Sequence, residues 1–266
     1  MTDTLSSVLS ALPPVGLPEL DEQAALLTRV DRKYVVPAAD LPLLCAGLSA
    51  RVLEIDGRRR FGYASTYFDT PDLASFRGAA HKRRRRFKVR TREYIDTGTA
   101  WVEVKTRGPR GSTVKQRLPL DRTPEAGPLD AAACDFVGSA LLRGGVVDID
   151  PGELLPVLDT AFERSTLLLP ASSSGSAPTR ATLDAGLRWA APDGQHLATG
   201  PVLVVETKAA PGSPGELDRR LWELGHRPAR ISKFCVGLAL ARPLTPRDVM
   251  FDPSATGYRD VFETLT

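Results

Sequence analysis

The chain has 266 residues, 42% of them hydrophobic, and a formal net charge of +3 at pH 7. This length and apolar content suffice for one large folded domain, and the small net charge excludes a protein that is cationic over its whole surface. The three cysteines and three histidines are far apart, which argues against disulfides, a zinc site and a histidine-based triad. No apolar run approaches the roughly 18 residues of a membrane span, and the N-terminus lacks a signal pattern, so we expect a cytoplasmic protein without a membrane span.

The chain is predicted to consist of three parts. Residues 1–28 form an N-terminal lead-in, which is proline-rich and loose up to residue 18 and then carries a short helix. Residues 29–242 form the main domain, in which charged and apolar side chains alternate over several stretches. Residues 243–266 form a C-terminal tail.

The most regular alternation lies within residues 82–107, and it predicts a β-hairpin. Successive side chains of a strand lie on opposite faces, so each arm has one charged and one apolar face. The sequence Asp96-Thr97-Gly98-Thr99 supplies the turn between the arms. The charged face carries Arg84, Arg86, Lys88, Arg90 and Arg92 on the first arm and Glu103, Lys105 and Arg107 on the second.

The same periodicities predict the other elements of the main domain. Strands are expected at residues 29–36, 63–68, 113–120, 157–169, around 180–184 and at 202–209, and a flexible loop at residues 171–178. Helices are expected at residues 38–50, 131–143, 214–224 and 232–241. The third of these helices would begin at Pro214, within a capping box of Ser213 and Glu216.

The side chains that share one face of these strands are mostly cationic. Either the strands form an open antiparallel sheet with this face in water, or the sheet closes into a barrel with the charges inside. Because burial of an unpaired ion costs several kcal/mol, a closed barrel would need a polyanion such as tri- or polyphosphate, a nucleotide or a nucleic-acid backbone. The regular spacing of arginines, whose planar fork suits phosphate, favours the barrel. The face carries the cations Lys33, Arg90, Arg92, Lys105, Lys115, Arg117, Arg164, Arg180 and Lys208, and the acids Asp31, Glu103, Asp184 and Glu206.

Glu206 lies near the end of a strongly apolar strand and has two interpretations. Beside several cations, a single glutamate is most often a salt-bridge partner. Alternatively, its carboxylate binds Mg²⁺ or Mn²⁺, which prefer carboxylate and phosphate oxygens together. The residue pattern leaves both interpretations open.

Eight short motifs follow one another along the chain. They are Arg32-Lys33-Tyr34, Tyr67-Phe68-Asp69-Thr70, Lys88-Val89-Arg90-Thr91-Arg92-Glu93-Tyr94, Glu103-Val104-Lys105, Lys115-Gln116-Arg117, Arg180 with Asp184, Glu206-Thr207-Lys208 and Ser232-Lys233-Phe234. In this order they resemble the VTC domain, the catalytic domain of the vacuolar transporter chaperone polyphosphate polymerases, from about residue 29 to residue 241. The VTC domain is a branch of the triphosphate tunnel metalloenzymes, or CYTH-like proteins.

The resemblance implies an α+β fold with an eight-stranded antiparallel tunnel or barrel, whose charged interior binds ATP, triphosphate or polyphosphate with Mn²⁺ or Mg²⁺. It implies that Glu206 holds the divalent metal. Phosphate ligands with a direct part in catalysis would be Lys33, Arg90, Arg92, Lys105, Arg164 and Arg180. Further substrate contacts would come from Lys88, Lys115, Arg117, Lys208, Ser232 and Lys233.

The chain departs from the family pattern in two places. The first strand of the superfamily usually reads Glu-x-Glu-x-Lys, whereas here Arg29, Asp31 and Lys33 supply one acid instead of two. This argues against a simple triphosphatase that binds metal there through two carboxylates. Phe162 replaces a frequent tyrosine and removes a hydroxyl near Arg164. The chain also shows no phosphate-sensing domain and no membrane helix, so we expect a stand-alone domain that a separate membrane partner could recruit.

The resulting hypothesis is transfer of the ATP γ-phosphate to a growing polyphosphate chain. Positioning and electrostatics carry most of such a reaction, and no protein nucleophile is required. Three alternatives remain: a hydrolase of tripolyphosphate or nucleoside triphosphates on the same fold, a non-catalytic polyphosphate sensor, and a nucleic-acid binder built on residues 82–86. The last is disfavoured because Phe87 is the one aromatic residue beside this basic run, which is more simply a solvated tunnel mouth.

Overall fold

The computed structural model describes residues 2–24, 30–109, 112–121, 127–171, 177–210, 214–229 and 231–241. Several predicted features lie outside the described residues and stay predictions. They are Arg29 at the start of the first strand, Ser213 of the capping box, most of the loop at residues 171–178 and the tail at residues 243–266.

Alternation of apolar with polar side chains produces strands at every predicted position, although several bounds differ. The strands are β1 (Pro14–Val15), β2 (Val30–Pro37), β3 (Arg51–Leu53), β4 (Phe61–Asp69), β5 (Phe87–Tyr94), β6 (Thr99–Arg107), β7 (Thr113–Leu120), β8 (Leu155–Leu169), β9 (Thr179–Ala190), β10 (His196–Ala198) and β11 (Val202–Ala209). The predicted hairpin is confirmed as β5 and β6, which pair antiparallel. Its first arm is shorter than predicted, because a turn precedes Phe87 and excludes Arg84 and Arg86 from the strand.

The helices of the described residues are α1 (Thr2–Ala11), α2 (Leu17–Gln23), α3 (Leu41–Cys45), α4 (Ala74–Ala80), α5 (Ala131–Arg143), α6 (Glu216–Glu223) and α7 (Lys233–Ala241). Helix α5 has its predicted bounds, and Asp130 caps it by accepting a hydrogen bond from the backbone N–H of Ala133 at 2.8 Å. The helix expected at residues 38–50 is shorter, because α3 ends at Cys45 and Gly47 adopts a left-handed φ of 75°.

The sheet is mainly antiparallel, and its main hydrogen-bonded order is β2-β11-β9-β8-β4-β5-β6-β7, with β1, β3 and β10 beside this path. The α+β class is therefore confirmed. The main path contains eight strands, but no pairing joins its end strands β2 and β7 in the described residues. The sheet is an open one of 11 strands in this part of the chain, so the predicted closure into an eight-stranded barrel is corrected.

The chain divides into two compact units. The first unit takes the described parts of Met1–Phe61, Phe162–Leu187 and Thr199–Ile231. The second unit takes the described parts of Gly62–Ala161, Arg188–Ala198 and Ser232–Thr266. Each unit has an apolar core of its own.

The core of the first unit contains the N-terminal helix α1. Leu5 and Leu9 lie one helical turn apart and are each 2% exposed, packed with Val36 and Leu203 of the strands β2 and β11. The prediction of a loose lead-in is therefore wrong for α1. The helical spacing of its leucines indicates this helix in the sequence, but the prolines that follow it favoured a loose segment.

Asp218 of helix α6 connects three elements of the first unit by buried hydrogen bonds. Its side chain is fully buried and accepts from the hydroxyls of Tyr34 at 2.7 Å and Thr207 at 2.6 Å. It also accepts from the backbone N–H of Gly215 at 2.9 Å and from the Arg32 guanidinium at 3.2 Å. Gly215 is thus the N-cap, and the predicted helix start at Pro214 is corrected to Glu216.

The core of the second unit lies between the apolar face of the hairpin and helix α5. Val89 and Val104 are fully buried, and they cluster with Val137 and Leu141 of α5. Because side chains alternate along a strand, packing of this face leaves the charged side chains of β5 and β6 on the other face. The core thereby fixes where the charged residues point.

Candidate functional site

Three neighbouring strands of the second unit arrange charged side chains in rows. The registers of β5, β6 and β7 place Lys88 opposite Lys105, and Lys105 opposite Lys115. Two residues further along, Arg90, Glu103 and Arg117 form the next row. Residues directly opposite one another have Cβ atoms about 4.5–5.5 Å apart, so the three lysines of the first row repel at close range. We call Lys88, Arg90, Arg92, Glu103, Lys105, Lys115 and Arg117 the inner cationic cluster.

Arg90 is the buried centre of this cluster. It is 8% exposed, and Glu103 beside it is 1% exposed. Its Nε donates to Glu103 Oε2 at 2.8 Å, and its Nη1 donates to the Tyr67 hydroxyl at 2.9 Å. The Tyr67 ring stacks on Phe234 with centroids 4.9 Å apart. Arg90 and Glu103 therefore do not lie in water, as the interpretation of a solvated charged face would require, and the Arg90 guanidinium is held in one orientation.

Glu103 is the carboxylate that compensates the cluster among the described residues. Its second oxygen, Oε1, forms an ion pair with Lys115, so both carboxylate oxygens are engaged by cations. Burial by itself would raise the pKa of Glu103, but the charges of Arg90, Arg92 and Lys115 lower it well below its usual range. The carboxylate is therefore ionised at any physiological pH.

Glu103 compensates the charge of Lys105 only in part, without a described ion pair between them. The ion pairs of Glu103 go to Arg90 and Lys115, and no described carboxylate contacts the Lys105 ammonium. The charge of Arg90, burial, and the charge of Arg92 lower the pKa of Lys105 well below its ordinary value of 10.5. A bound anion would supply the counter-charge that this row lacks.

Lys88, at the other side of the lysine row, contacts the start of helix α7. Its Nζ donates to Ser232 Oγ at 2.6 Å and lies 5.8 Å from the centroid of the Phe234 ring. Ser232 in turn accepts from the backbone N–H of Cys235 at 3.2 Å, as a helix cap does. The contact brings together two residues that the resemblance implies as substrate contacts, both within the second unit.

Close packing fixes helix α7 in this position. A Cβ atom at position 237 would lie 2.1 Å from the Trp189 ring. Only glycine therefore lets the helix pack this closely against Trp189. The indole Nε1 of Trp189 also donates to the carbonyl oxygen of Lys233 at 2.8 Å. These contacts hold Ser232 and Lys233 at the edge of the inner cationic cluster.

The remaining arginines of the cluster rest on aromatic rings. Arg92 is 6% exposed; its Nε donates to Ser65 Oγ at 3.1 Å, and its guanidinium lies 5.3 Å from the Tyr63 centroid. Arg117 is exposed on β7, with its guanidinium 4.4 Å from the centroid of Trp101. Stacking orients both side chains without neutralising their charge.

The first unit holds a smaller charged group on β2, β9 and β11. Glu206 lies opposite Lys33 and next but one to Lys208. Its two carboxylate oxygens lie 3.6 Å from the Lys33 ammonium and 3.2 Å from the Lys208 ammonium. Burial lowers the pKa of Lys208, and the charge of Glu206 partly offsets this effect. Glu206 therefore forms salt bridges with both lysines, and its role as a metal ligand stays a prediction.

The other two predicted arginines of the first unit also contact acids. Arg164 donates from Nε and Nη2 to the two oxygens of Asp184 at 2.6 and 2.8 Å, a bidentate pair. The Arg164 guanidinium lies 5.3 Å from the centroid of Phe162, the residue that replaces the frequent tyrosine. Arg180 pairs with Asp21 of helix α2 at 3.2 Å.

The residue predicted to bind a divalent metal is Glu206. No group of three or more histidine, cysteine or acidic side chains with metal-ligand spacing occurs in the described residues. Magnesium is often held by one or two carboxylates together with substrate phosphates, and Glu206 fits that kind of site. Binding would require the carboxylate to exchange a lysine contact for the metal.

Sequence reasoning did not find the residues that position the predicted ligands. Tyr67 and Phe234 lie within the quoted motifs, but nothing in the sequence indicates that their rings stack on each other or that Tyr67 lies against Arg90. Asp21 lies in the predicted lead-in, far in sequence from Arg180. The sequence places Asp218 near the start of the helix predicted from residue 214, but it does not indicate the partners of its carboxylate. All four act through contacts between distant parts of the chain.

The family model of the VTC domain matches residues 28–242, and the chain belongs to this family. The predicted resemblance is thereby confirmed. No curated protein matches the chain. None of the helices in the described part of the chain combines the length and apolar content needed to cross a membrane.

Three similar solved structures have low sequence identity. The PH1012 protein from Pyrococcus horikoshii OT3 and a conserved hypothetical protein from Pyrococcus furiosus are each 12% identical, with a TM-score of 0.39, over 74% of this chain and 88% of theirs. A putative adenylyl cyclase from Hippeastrum, described as having a dominant triphosphatase activity, is 16% identical, with a TM-score of 0.40, over 83% of this chain and 99% of its own.

Proposed function

We propose that the chain is a metal-dependent phosphotransferase, a polyphosphate polymerase that transfers the ATP γ-phosphate to a polyphosphate chain. Membership of the VTC domain family supports this proposal. The observation that carries it is the inner cationic cluster, in which six cations share one face with a single carboxylate in the described residues. Such a face favours a ligand with several closely spaced negative charges, as in triphosphate or polyphosphate.

The residues of the cluster have distinct tasks in this proposal. Arg90 and Arg92 are buried and fixed by hydrogen bonds, so they orient phosphate oxygens without reorganising. Lys105 lies between Lys88 and Lys115. It supplies a positive charge that forms no ion pair with a described carboxylate. Within the first unit, Lys33, Arg164, Arg180 and Lys208 are proposed as further phosphate ligands, with Glu206 as a metal ligand. A bound Mg²⁺ or Mn²⁺ would neutralise charge on phosphate oxygens at Glu206.

Incubation of the purified protein with ATP and Mn²⁺ or Mg²⁺ tests the proposal. The products are separated on a gel that resolves polyphosphate, and free phosphate is assayed in the same samples. A ladder of chains with release of ADP is the expected result. Free phosphate without a ladder would instead identify a hydrolase on the same scaffold, and tight polyphosphate binding without either product would identify a sensor.

Replacing Glu206 with glutamine is expected to weaken metal binding in the presence of tripolyphosphate. The substitution keeps the size of the side chain but removes the charge that a divalent metal needs. Loss of a metal ligand should raise the Mn²⁺ concentration for half-saturation by at least about tenfold. Electron paramagnetic resonance of free Mn²⁺ measures this directly. Glu163→Gln is the control, because Glu163 is an exposed acid that pairs with Arg60. Identical Mn²⁺ titrations for Glu206→Gln and the native protein would remove Glu206 from the metal site.

Tripolyphosphate binding is expected to weaken as the pH rises through the lowered pKa of Lys105. Below that pKa the amine is charged and attracts the anion, and above it the amine is neutral unless the anion pulls a proton back. The loss should begin at a pH below the ordinary lysine value of 10.5. Calorimetric titration with tripolyphosphate over a pH series, without metal, measures it.

Lys105→Arg is the control for this pH dependence, because arginine stays charged throughout the accessible range. Its affinity for tripolyphosphate should exceed that of the native protein increasingly as the pH rises. Any pH effect from ionisation of the tripolyphosphate itself is common to both proteins and cancels in the comparison. Parallel pH profiles would contradict the assignment of the effect to Lys105.

A further inference from the structure

Five consecutive cations, at residues 82–86, form a turn between helix α4 and strand β5 of the second unit. The side chains from Lys82 to Arg85 are exposed, and that of Arg86 is half-buried. Arg86 Nη1 donates to the carbonyl oxygens of Lys82 and Arg83 at 3.4 and 3.0 Å. No ion pair to a carboxylate is found for these five residues in the described part of the chain, which distinguishes them from an ordinary surface of mixed charge.

Arg107 places a further cation beside this turn. It is the last residue of β6, and Phe87, the first residue of β5, pairs with its neighbour Thr106. Burial and the charge of Arg107 lower the pKa of Arg86, so the two guanidinium groups are close enough to repel. Two like charges held together in this way favour an anion between or above them.

The turn and Arg107 continue the inner cationic cluster along the strands. Arg107 lies two residues beyond Lys105 and on the same face, which is about 7 Å further along β6. Arg86 lies two residues before Lys88, in the turn that leads into β5. The charged rows therefore continue outward from Arg90 and Glu103 to the three lysines, and Arg107 and the turn lie beyond these lysines.

We propose that residues 82–86 and Arg107 form an outer phosphate-binding surface, which holds the part of a polyphosphate chain that extends beyond the inner cationic cluster. The proposal rests on the proposed function, because the inner cluster must itself bind phosphates. Polyphosphate repeats one charge along a flexible chain and carries no base or apolar group. The outer surface matches this chemistry, since it offers cations and its neighbouring ring, Phe87, is 4% exposed and unable to stack on a base.

This arrangement has a consequence for chain length. A tripolyphosphate has few phosphates and is satisfied by the inner rows. A longer chain adds phosphates that reach the outer cations, and each exposed contact contributes a small, salt-sensitive amount. The outer surface should therefore raise affinity for long chains and leave affinity for tripolyphosphate unchanged.

The test compares two double variants that each remove two exposed cations. Arg84→Ser with Arg85→Ser alters the outer surface, and Arg143→Ser with Arg227→Ser removes exposed arginines elsewhere. Dissociation constants are measured for metal-free tripolyphosphate and for long-chain polyphosphate at several salt concentrations. The outer variant should bind long-chain polyphosphate about three- to tenfold more weakly, with a shallower salt dependence. Its dissociation constant for tripolyphosphate should stay within about twofold of the native value.

Other outcomes overturn the proposal. Equal weakening for both ligands would mean that the arginines act only through the general field of the protein. Unchanged long-chain affinity, or the same loss in the control variant, would show that the outer surface holds no chain. Preferential capture of single-stranded RNA over polyphosphate would assign the surface to nucleic acid. If the native protein binds neither tripolyphosphate nor the long chain, the proposed function itself fails, which is a distinguishable result.

Discussion

Replacing Arg90 with alanine is expected to lower the rate of polyphosphate synthesis by about 10²-fold or more, because a fixed donor to phosphate oxygens is removed from a buried site. The same substitution removes the hydrogen bond to Tyr67 and one of the two cations that hold Glu103. Arg92→Ala and Lys105→Ala should each reduce turnover by at least about tenfold for the same electrostatic reason. Steady-state rates with ATP and Mn²⁺, measured from the ladder and from ADP release, give these values.

Arg90→Lys separates charge from geometry. Lysine keeps a positive charge but cannot make the two-atom contact that Arg90 makes with Glu103 and Tyr67, so activity should recover only in part. Circular dichroism and thermal unfolding show whether each variant is folded. Folded variants of Arg90, Arg92 and Lys105 that all retain native turnover would refute the inner cationic cluster as the site of phosphoryl transfer.

A second consequence of Arg90→Ala connects the site to its titration. Arg90 is the largest cause of the lowered pKa of Lys105. Its removal should raise that pKa, so Lys105 stays charged to a higher pH and the weakening of tripolyphosphate binding begins later. Arg90→Ala should thus lower turnover and at the same time raise the pKa of Lys105. A general loss of structure would not raise this pKa in a defined way, so the two measurements together distinguish it from the loss of a phosphate contact.

Much of the second unit could be predicted because its determinants are local. Side-chain alternation in β5 and β6 fixes which residues share a face, and a core of valines on one face leaves the cations on the other. The short turn after Tyr94 then sets the register that brings Glu103 opposite Arg90. A sequence that alternates so regularly specifies both the hairpin and its charged face.

The remaining features depend on contacts that a local pattern does not contain. Closure of a sheet depends on which strands meet at its ends, and alternation is the same in an open sheet and in a barrel. The sequence left open whether Glu206 pairs with lysines or binds a metal, and its contacts with Lys33 and Lys208 are visible only in the structure. The burial of helix α1 depends on β2 and also on β11, whose residues come much later in the chain. These are long-range properties, and the structure supplies them.

Asp218→Ala is expected to destabilise the protein by about 3–5 kcal/mol, since the carboxylate is fully buried and its removal leaves several donors without an acceptor. The Tyr34 hydroxyl would keep one contact, from the indole Nε1 of Trp222 at 3.1 Å. Burial and the carboxylate of Asp218 raise the pKa of Tyr34, so this hydroxyl stays a neutral donor at physiological pH. The cost should appear as a lower urea midpoint with an unchanged slope.

Graded substitutions keep this prediction testable even where alanine prevents folding. Asp218→Asn preserves an acceptor oxygen and should cost less than alanine, and Tyr34→Phe, which removes one donor, should cost about 1 kcal/mol. Glu223→Ala removes the same charge from an exposed position of helix α6, where it pairs with Arg220 at 3.3 Å, and should cost at most about 1 kcal/mol. Asp218 joins helix α6 to β2 and β11, the strands that carry Lys33 and Glu206. Equal urea midpoints for Asp218→Ala and Glu223→Ala would contradict the prediction, because they would mean that apolar packing alone holds these strands.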